Sequence, residues 1–256
     1  MNLAKHFYEI DTLGFTIIEN VVSSEQSSLL KKLLIEARVE DQRRWGSRAQ
    51  KKENLVSDLT THGEDFIQFL DNDVMDTVFA NFIGKSWTLY TYSSTFLDPQ
   101  DRPSYSEIHV DSSRFIPGYY SALQMTLALD DFTESNGSTF VLPGSHKTEA
   151  APDQRTFERF AIRTDRPAGA ALFWNPRLYH RAGNNITEKT RFGLSTYGVR
   201  SFMKPRFDYP RMVPPALLER ASPRVRRILG FDVRVPTDMG EFYVPAEERL
   251  YKANQG

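Results

Sequence analysis

The chain contains no cysteine among its 256 residues, which excludes disulfides, a thiolate nucleophile, zinc–thiolate sites and iron–sulfur clusters. It has only five histidines, so any metal ion must be held by a few imidazoles together with carboxylates. An excess of charge of one sign is also lacking: 32 Lys and Arg residues stand against 33 Asp and Glu residues. The net charge of −1 gives no reason to expect nucleic acid as a partner.

Long apolar runs are absent as well. No segment is long enough to span a bilayer, and charges interrupt the N-terminal residues before a signal-peptide core is complete. The hydrophobic content of 40% and the charged content of 25% are typical of a globular protein. We therefore expect a cytoplasmic protein that has no membrane partner, and the sequence leaves its oligomeric state open.

Helical patterns come first in the chain. Ser23 and Gln26 have the spacing of a capping box, and apolar residues repeat at helical spacing over Leu29–Ala37. A second apolar stripe predicts a helix from about Glu64 to Phe82, with Gly84 beyond its end. These patterns predict helices in the N-terminal third of the chain.

Short β-rich segments, separated by Pro, Gly, Asn and Asp turns, dominate the middle of the chain. They are Trp87–Phe96, Tyr105–Asp111, Leu123–Leu129, Ser138–Leu142, Ala170–Trp174 and Arg191–Val199. Helices followed by many short strands predict a mainly β fold, a double-stranded β-helix (jelly roll) buttressed by N-terminal helices.

The chain shows no internal repeat and no linker, so a single domain over residues 1–256 is expected. Its parts are N-terminal helices at about 22–84, the jelly-roll core at about 87–200 and a C-terminal extension at about 201–256. Within the extension, Pro214–Leu229 is predicted to be a helix.

His109 and Asp111 stand two residues apart in a β-favouring segment. Side chains at i and i+2 of a strand point to the same face, so this imidazole and this carboxylate are predicted to lie side by side. His180 follows a predicted strand, whereas His146 lies in a Pro-Gly-Ser-His turn and is expected to be structural. Two imidazoles and one carboxylate on Fe(II) leave three positions open, as non-haem iron oxygenases require. Such a triplet also occurs by chance.

Arg191 lies eleven residues after His180 and opens a predicted strand on which Arg191, Gly193, Ser195 and Tyr197 share one face. A guanidinium that reaches into a β-sandwich is unfavourable unless it meets an anion, and its fork suits a carboxylate. The alternative is an ordinary surface arginine.

Three segments carry a resemblance to a known family. They are His109–Asp111, Ala128–Lys147 and Phe173–Asn185, and Arg191 follows the third. In this order they resemble the phytanoyl-CoA dioxygenase (PhyH) family of iron- and 2-oxoglutarate-dependent oxygenases. The resemblance extends from about Gly14 to about Val199.

The resemblance implies Fe(II), 2-oxoglutarate and O₂ as reactants at one site. His109, Asp111 and His180 would be the iron ligands, and Arg191 would meet the distal carboxylate of 2-oxoglutarate. Further co-substrate contacts are expected from neighbouring strands, namely Thr126, Gln124 and Tyr92. Because Asp111 is present where halogenating relatives carry a small residue, halogenation is disfavoured.

We therefore expect a dioxygenase that oxidises a small-molecule substrate in secondary metabolism, with release of succinate and CO₂. Hydroxylation is the favoured outcome, although desaturation, epoxidation or ring formation would use the same iron centre. The alternative is a cupin-like metal-binding jelly roll, either an isomerase or a small-molecule binding protein. That alternative keeps the three metal ligands but gives Arg191 no carboxylate to bind.

Overall fold

The computed structural model describes residues 2–46, 48, 55–101, 103–253 and 255. The N-terminal helices are α1 (Ala4–Leu13), α2 (Ser24–Trp45), α3 (Glu64–Phe69) and α4 (Asp73–Ile83). The strands are β1 (Phe15–Ile18), β2 (Thr88–Leu97), β3 (Ala122–Ala128), β4 (Phe140–Val141), β5 (Ile162–Arg163), β6 (Ala171–Trp174), β7 (His180–Arg181) and β8 (Arg191–Val199). Helix α5 (Gln154–Phe160) precedes β5, and α6 (Tyr209–Met212), α7 (Pro215–Leu218), α8 (Pro223–Ile228) and α9 (Met239–Phe242) follow β8.

The strands form two antiparallel sheets. The larger has the order β1-β6-β3-β8-β2, and the smaller has the order β5-β4-β7. Helices and sheets contribute together, so the fold is mixed, and the mainly β character expected from the sequence is not evident. Within the described residues, no helix combines the length and apolar character that crossing a membrane requires.

The two faces of the larger sheet have different neighbours. Side chains of cross-strand partners lie on the same face, so Tyr92 and its partner Thr196 point the same way. Tyr92 packs against Phe66 and Phe69 of α3, which identifies this as the face that the helices cover. The other face turns toward the smaller sheet, because Trp174 of β6 clusters with Val141 of β4. The site described below lies on this second face.

The helix ends follow their capping residues. The Ser23 side chain accepts a hydrogen bond from the backbone N–H of Gln26 at 3.2 Å, as its spacing predicts. The helix predicted over 64–82 is instead two helices, because the side chain of Asn72 accepts from the N–H of Met75 and begins a new one.

The helix predicted over Pro214–Leu229 is also divided. Helix α7 ends at Leu218, and Ser222 caps α8 by accepting from the N–H of Val225. The next residue, Pro223, occupies the first turn of α8, where a missing N–H does no harm. An apolar repeat alone does not reveal a break of this kind, whereas the Ser-Pro pair marks it.

The segment Tyr105–Asp111 is not the strand that its composition predicts. Ser104–Ser106 forms a 3₁₀ turn, and the segment meets the smaller sheet at a bridge between His109 and His180. Strands occupy at least part of each of the other predicted β-segments. His109 and Asp111 therefore lie at a single bridge rather than within a regular strand.

Asn185 fixes the loop that leads into β8. Its side chain is 1% exposed and donates to the carbonyls of Leu97 and Lys189, both at 2.8 Å. Its Oδ1 accepts from the N–H and the hydroxyl of Thr187 at 3.1 and 2.7 Å. One buried amide thus ties the loop to the edge strand β2 and sets where β8 begins.

We predict that Asn185→Ala lowers the free energy of unfolding by roughly 2–3 kcal/mol, because buried backbone carbonyls lose their donor. Urea unfolding of the variant measures this loss. The matched control is Asn184→Ala at the neighbouring exposed position, for which a change of less than about 0.5 kcal/mol is expected. Equal losses in the two variants would contradict the assigned role of Asn185.

Candidate active site

His109, Asp111 and His180 converge although they come from distant parts of the chain. Their ligand atoms all lie within 4.8 Å of one another. Nε2 of His109 is 3.6 Å from Oδ1 of Asp111, and Nε2 of His180 is 3.4 Å from Oδ2 of the same carboxylate. Among the described residues, no second group of His, Asp and Glu side chains meets this criterion for a metal site.

Backbone hydrogen bonds bring the three ligands together. His109 and His180 exchange N–H···O bonds of 3.0 Å in both directions. The N–H of Asp111 donates to the carbonyl of Pro176 at 2.9 Å, so the same two segments are joined a second time. The expected proximity of His109 and Asp111 is therefore present, at a single bridge instead of in a full strand.

The hydrogen bonds of the two imidazoles define their tautomers. Nδ1 of His109 is 2.8 Å from the carbonyl of Glu107, and Nδ1 of His180 is 2.9 Å from the carbonyl of Leu178. A carbonyl oxygen only accepts, so each Nδ1 carries the proton and donates it. Nε2 of each ring is then the nitrogen that faces Asp111, the orientation that metal-binding histidines have.

The electrostatics of the cluster suit a bound cation. Burial lowers the pKa of His180, with partial opposition from the nearby Asp111 carboxylate. Burial raises the pKa of Asp111, but the proximity of His180 and His109 outweighs this effect, so the pKa of Asp111 is lowered overall. A neutral imidazole and an ionised carboxylate are the forms that ligate metals. A bound cation would supply positive charge beside the Asp111 carboxylate, and two nitrogens with one carboxylate suit Fe(II).

Arg191 lies at the start of β8 and is only 3% exposed. It pairs with Leu97 of β2, and its Nη1 donates a hydrogen bond to the carbonyl of Gly137. Burial lowers the pKa of Arg191 to about 10, so the guanidinium remains charged at neutral pH. The structure therefore holds a buried cation inside the fold, and the alternative of a surface arginine is excluded.

Strand β8 connects Arg191 to the metal-ligand cluster along one face. Tyr197 shares that face with Arg191. Its cross-strand partner Gln124 pairs in turn with Trp174, whose ring centroid is 5.7 Å from that of His180. Between the two ends, Ser195 pairs with Ser93 of β2 and Thr126 of β3, so hydroxyl groups occupy the middle of the face. The face thus has the metal-ligand cluster near one end, small hydroxyl groups in the middle and the Arg191 guanidinium at the other end.

The phytanoyl-CoA dioxygenase (PhyH) family model matches residues 10–193, more than half of the chain, and the match includes the three ligand candidates and Arg191. The chain belongs to this family.

Relatives of this PhyH protein include an uncharacterised protein of Mycobacterium tuberculosis, Rv1501, which is 34% identical over 148 residues. That alignment covers 58% of this chain and 54% of the relative, so the chain spans about half the length of this relative. The dioxygenase FUM3 of Gibberella moniliformis is 27% identical over 231 residues, covering 84% of this chain and 75% of the relative. Among solved structures, HygX of Streptomyces hygroscopicus, with nickel and 2-oxoglutarate bound, superposes with a TM-score of 0.63 at 16% identity over 80% of this chain and 89% of HygX. This likeness supports the fold.

The remaining expected contacts of this PhyH chain divide between the two faces of the sheet. Gln124 pairs with Tyr197 and its Nε2 donates to Ser195 Oγ at 3.3 Å, so Gln124 and Thr126 lie on the face that carries Arg191. Tyr92 lies on the opposite face, buried against α3. The expectation that Tyr92 lines the site is therefore wrong, because strand alternation directs its side chain to the helices.

Sequence reasoning missed Arg177, which is 8% exposed. Its Nη1 donates to the carbonyls of Ser112 and Ser113, and its Nη2 donates to those of Thr148 and Glu149, at 3.2–3.3 Å. This guanidinium fixes the loop that leaves Asp111. Its position in the segment Asn-Pro-Arg-Leu-Tyr-His, three residues before the second histidine ligand, is the sequence signal that was available.

We predict that His109→Ala and His180→Ala each abolish tight binding of Mn(II) or Fe(II), because each removes one of three ligand atoms. The loss should exceed the roughly 10- to 100-fold that removal of an outer hydrogen-bond partner costs. Anaerobic calorimetry measures the affinity. His146→Ala is the histidine control, since His146 contacts the carbonyl of Asp11 outside the cluster and its variant should retain the affinity. Wild-type affinity in either ligand variant would exclude this metal site.

Proposed function

We propose that the chain is an Fe(II)- and 2-oxoglutarate-dependent dioxygenase. The observation that carries the proposal is the shared face of β8, with the ligand cluster near Tyr197 at one end and the buried Arg191 at the other. A molecule that is an oxo acid at one end and a carboxylate at the other matches both ends. Membership of the PhyH family supports the same function.

The fold supports a jelly roll as the frame of this site. The inner face of the larger sheet and the strand β4 of the smaller one pack together through Trp174, Leu172 and Val141. His180 pairs with Val141 and therefore points to the same interior. We infer that the two sheets form a double-stranded β-helix whose interior holds the ligand cluster.

The protein's own groups bind and orient the reactants in this proposal. His109, Asp111 and His180 would hold iron and leave part of its coordination sphere to the co-substrate and O₂. When bound, iron supplies the activation of O₂, with 2-oxoglutarate converted to succinate and CO₂ and one oxygen atom delivered to the substrate. Arg191 would bind the distal carboxylate, and the hydroxyls of Ser195 and Thr126 would lie along the bound co-substrate.

The substrate is proposed to enter beside Asp111. A cavity of about 330 Å³ begins at Ser112, the next residue, and its walls include Arg177 and three aromatic residues. These residues are Phe115, Tyr119 and Tyr120. A pocket of this size suits a small molecule, with hydroxylation in secondary metabolism as the proposed reaction. The hydrogen bond from Arg177 to the carbonyl of Ser112 would hold this wall of the cavity at a fixed position relative to the metal ligands.

We predict that Arg191→Met weakens binding of 2-oxoglutarate to the Mn(II)-loaded protein by about tenfold to a hundredfold, the effect of losing a charge-assisted hydrogen bond. Calorimetry measures the affinity, and succinate release at limiting 2-oxoglutarate should fall in parallel. Metal affinity should not change.

Arg159→Met serves as the control, because Arg159 is exposed and packs over the exposed ring of Phe160 in α5. If wild type and Arg191→Met bind 2-oxoglutarate equally well while both bind metal, the cupin-like alternative replaces the dioxygenase. Succinate release in the presence of candidate small molecules then identifies the substrate.

A further inference from the structure

A second arginine is buried next to Arg191. Arg166 is 4% exposed, and its backbone N–H and C=O both pair with those of Phe132, at 3.0 and 2.8 Å. It lies outside the segments that carry the family resemblance and was not among the site residues predicted from sequence. A buried guanidinium is unfavourable unless its charge and its donors are satisfied, so its presence needs an explanation.

The two guanidiniums share one aromatic ring. Arg166 packs over Phe132 with 4.1 Å from Cζ to the ring centroid, and Arg191 packs over the same ring at 4.0 Å. Burial and then repulsion from Arg191 lower the pKa of Arg166 to about 9, so both groups remain charged at neutral pH. The attraction of a cation for the ring helps to hold each group but does not neutralise two charges.

Neither guanidinium has an ion-pair partner among the residues that the structure describes. Asp165, the acid that acts on Arg166, pairs instead with Arg163 at 3.5 Å. Asp130, the acid that acts on Arg191, pairs with Lys31 and accepts from the N–H of Phe192. The nearby carboxylates are therefore committed elsewhere.

Each guanidinium is bonded on one side and open on the other. Nη1 of Arg166 donates to the carbonyl and hydroxyl of Thr164 at 2.8 and 3.2 Å, much as Nη1 of Arg191 donates to the carbonyl of Gly137. Four buried polar atoms in this neighbourhood have no hydrogen-bond partner among the described residues: Nε and Nη2 of Arg166, Nε of Arg191 and Oγ of Ser138. Two cations with open donors and no committed acid form a site for an anion.

We propose that Arg166 is a second cationic group for the distal carboxylate of 2-oxoglutarate and acts together with Arg191. This inference rests on the proposed dioxygenase function and extends it to a residue outside the ligand cluster. A carboxylate has about four acceptor positions, which is more than the open edge of one guanidinium satisfies. The alternative is a purely structural role, in which Arg166 supports the ring of Phe132 and does not contact the bound carboxylate.

The test compares two ligands in calorimetric titrations of the Mn(II)-loaded protein. One is 2-oxoglutarate, and the other is 2-oxopentanoate, which keeps the oxo acid but replaces the distal carboxylate with a methyl group. We expect Arg166→Gln to weaken 2-oxoglutarate binding by about tenfold to a hundredfold and to leave 2-oxopentanoate binding unchanged. Arg166→Lys keeps the charge and should recover a large part of the affinity for 2-oxoglutarate.

The outcomes separate this inference from the function on which it rests. If Arg191→Met weakens 2-oxoglutarate binding but Arg166→Gln does not, the second cation is disproved and the dioxygenase proposal stands. Equal weakening of both ligands by Arg166→Gln shows a purely structural role and also overturns the inference. If wild type binds no 2-oxoglutarate, both proposals fail. Arg159→Met, in the neighbouring helix α5 and exposed, controls for loss of an arginine from the same part of the chain.

Discussion

Two imidazole nitrogens lie 3.4–3.6 Å from the oxygens of one carboxylate. The three side chains come from separate parts of the chain, so the surrounding backbone must bring them together. It does so with hydrogen bonds between main-chain groups: His109 with His180, and Asp111 with Pro176. The same kind of group, a backbone carbonyl, fixes each imidazole through Nδ1. The geometry of the site thus depends on where two short segments cross.

Strand β8 connects the metal-ligand cluster to the other residues of the site. Because side chains alternate along a strand, the residues that share a face with Arg191 are determined as soon as β8 is placed. Its start is fixed by the loop that Asn185 anchors, and near its far end Tyr197 lies in one cross-strand row with Gln124 and Trp174, whose ring contacts that of His180. The spacing between cation and ligand cluster is therefore a property of backbone pairing rather than of flexible side chains.

The difference between side-chain chemistry, which the sequence shows, and backbone pairing, which it does not, explains what could be predicted. Residue chemistry, chain order and the family resemblance together singled out His109, Asp111, His180 and Arg191 as candidates. The structure brings the first three together and buries the fourth. Alternation also grouped Ser195 and Tyr197 with Arg191. Alternation does not say which of two faces is the interior, and for Tyr92 this choice was wrong. Strand β2 also has an irregularity between Leu89 and Thr91, which shifts the register relative to β8 and is invisible in the pattern.

Buried cations were harder to predict for a related reason. Arg177 and Arg166 lie in segments whose sequence reads as turn and loop, where an arginine is normally solvated. Their burial follows from tertiary packing: one donates to four carbonyls that belong to two loops, and the other stacks on Phe132. The difference between them is chemical. Arg177 has both terminal nitrogens engaged by carbonyl oxygens and only its Nε without a partner, whereas Arg166 leaves Nε and the terminal Nη2 without one, beside a second cation. Whether a terminal nitrogen remains unsatisfied is therefore more informative about anion binding than burial alone.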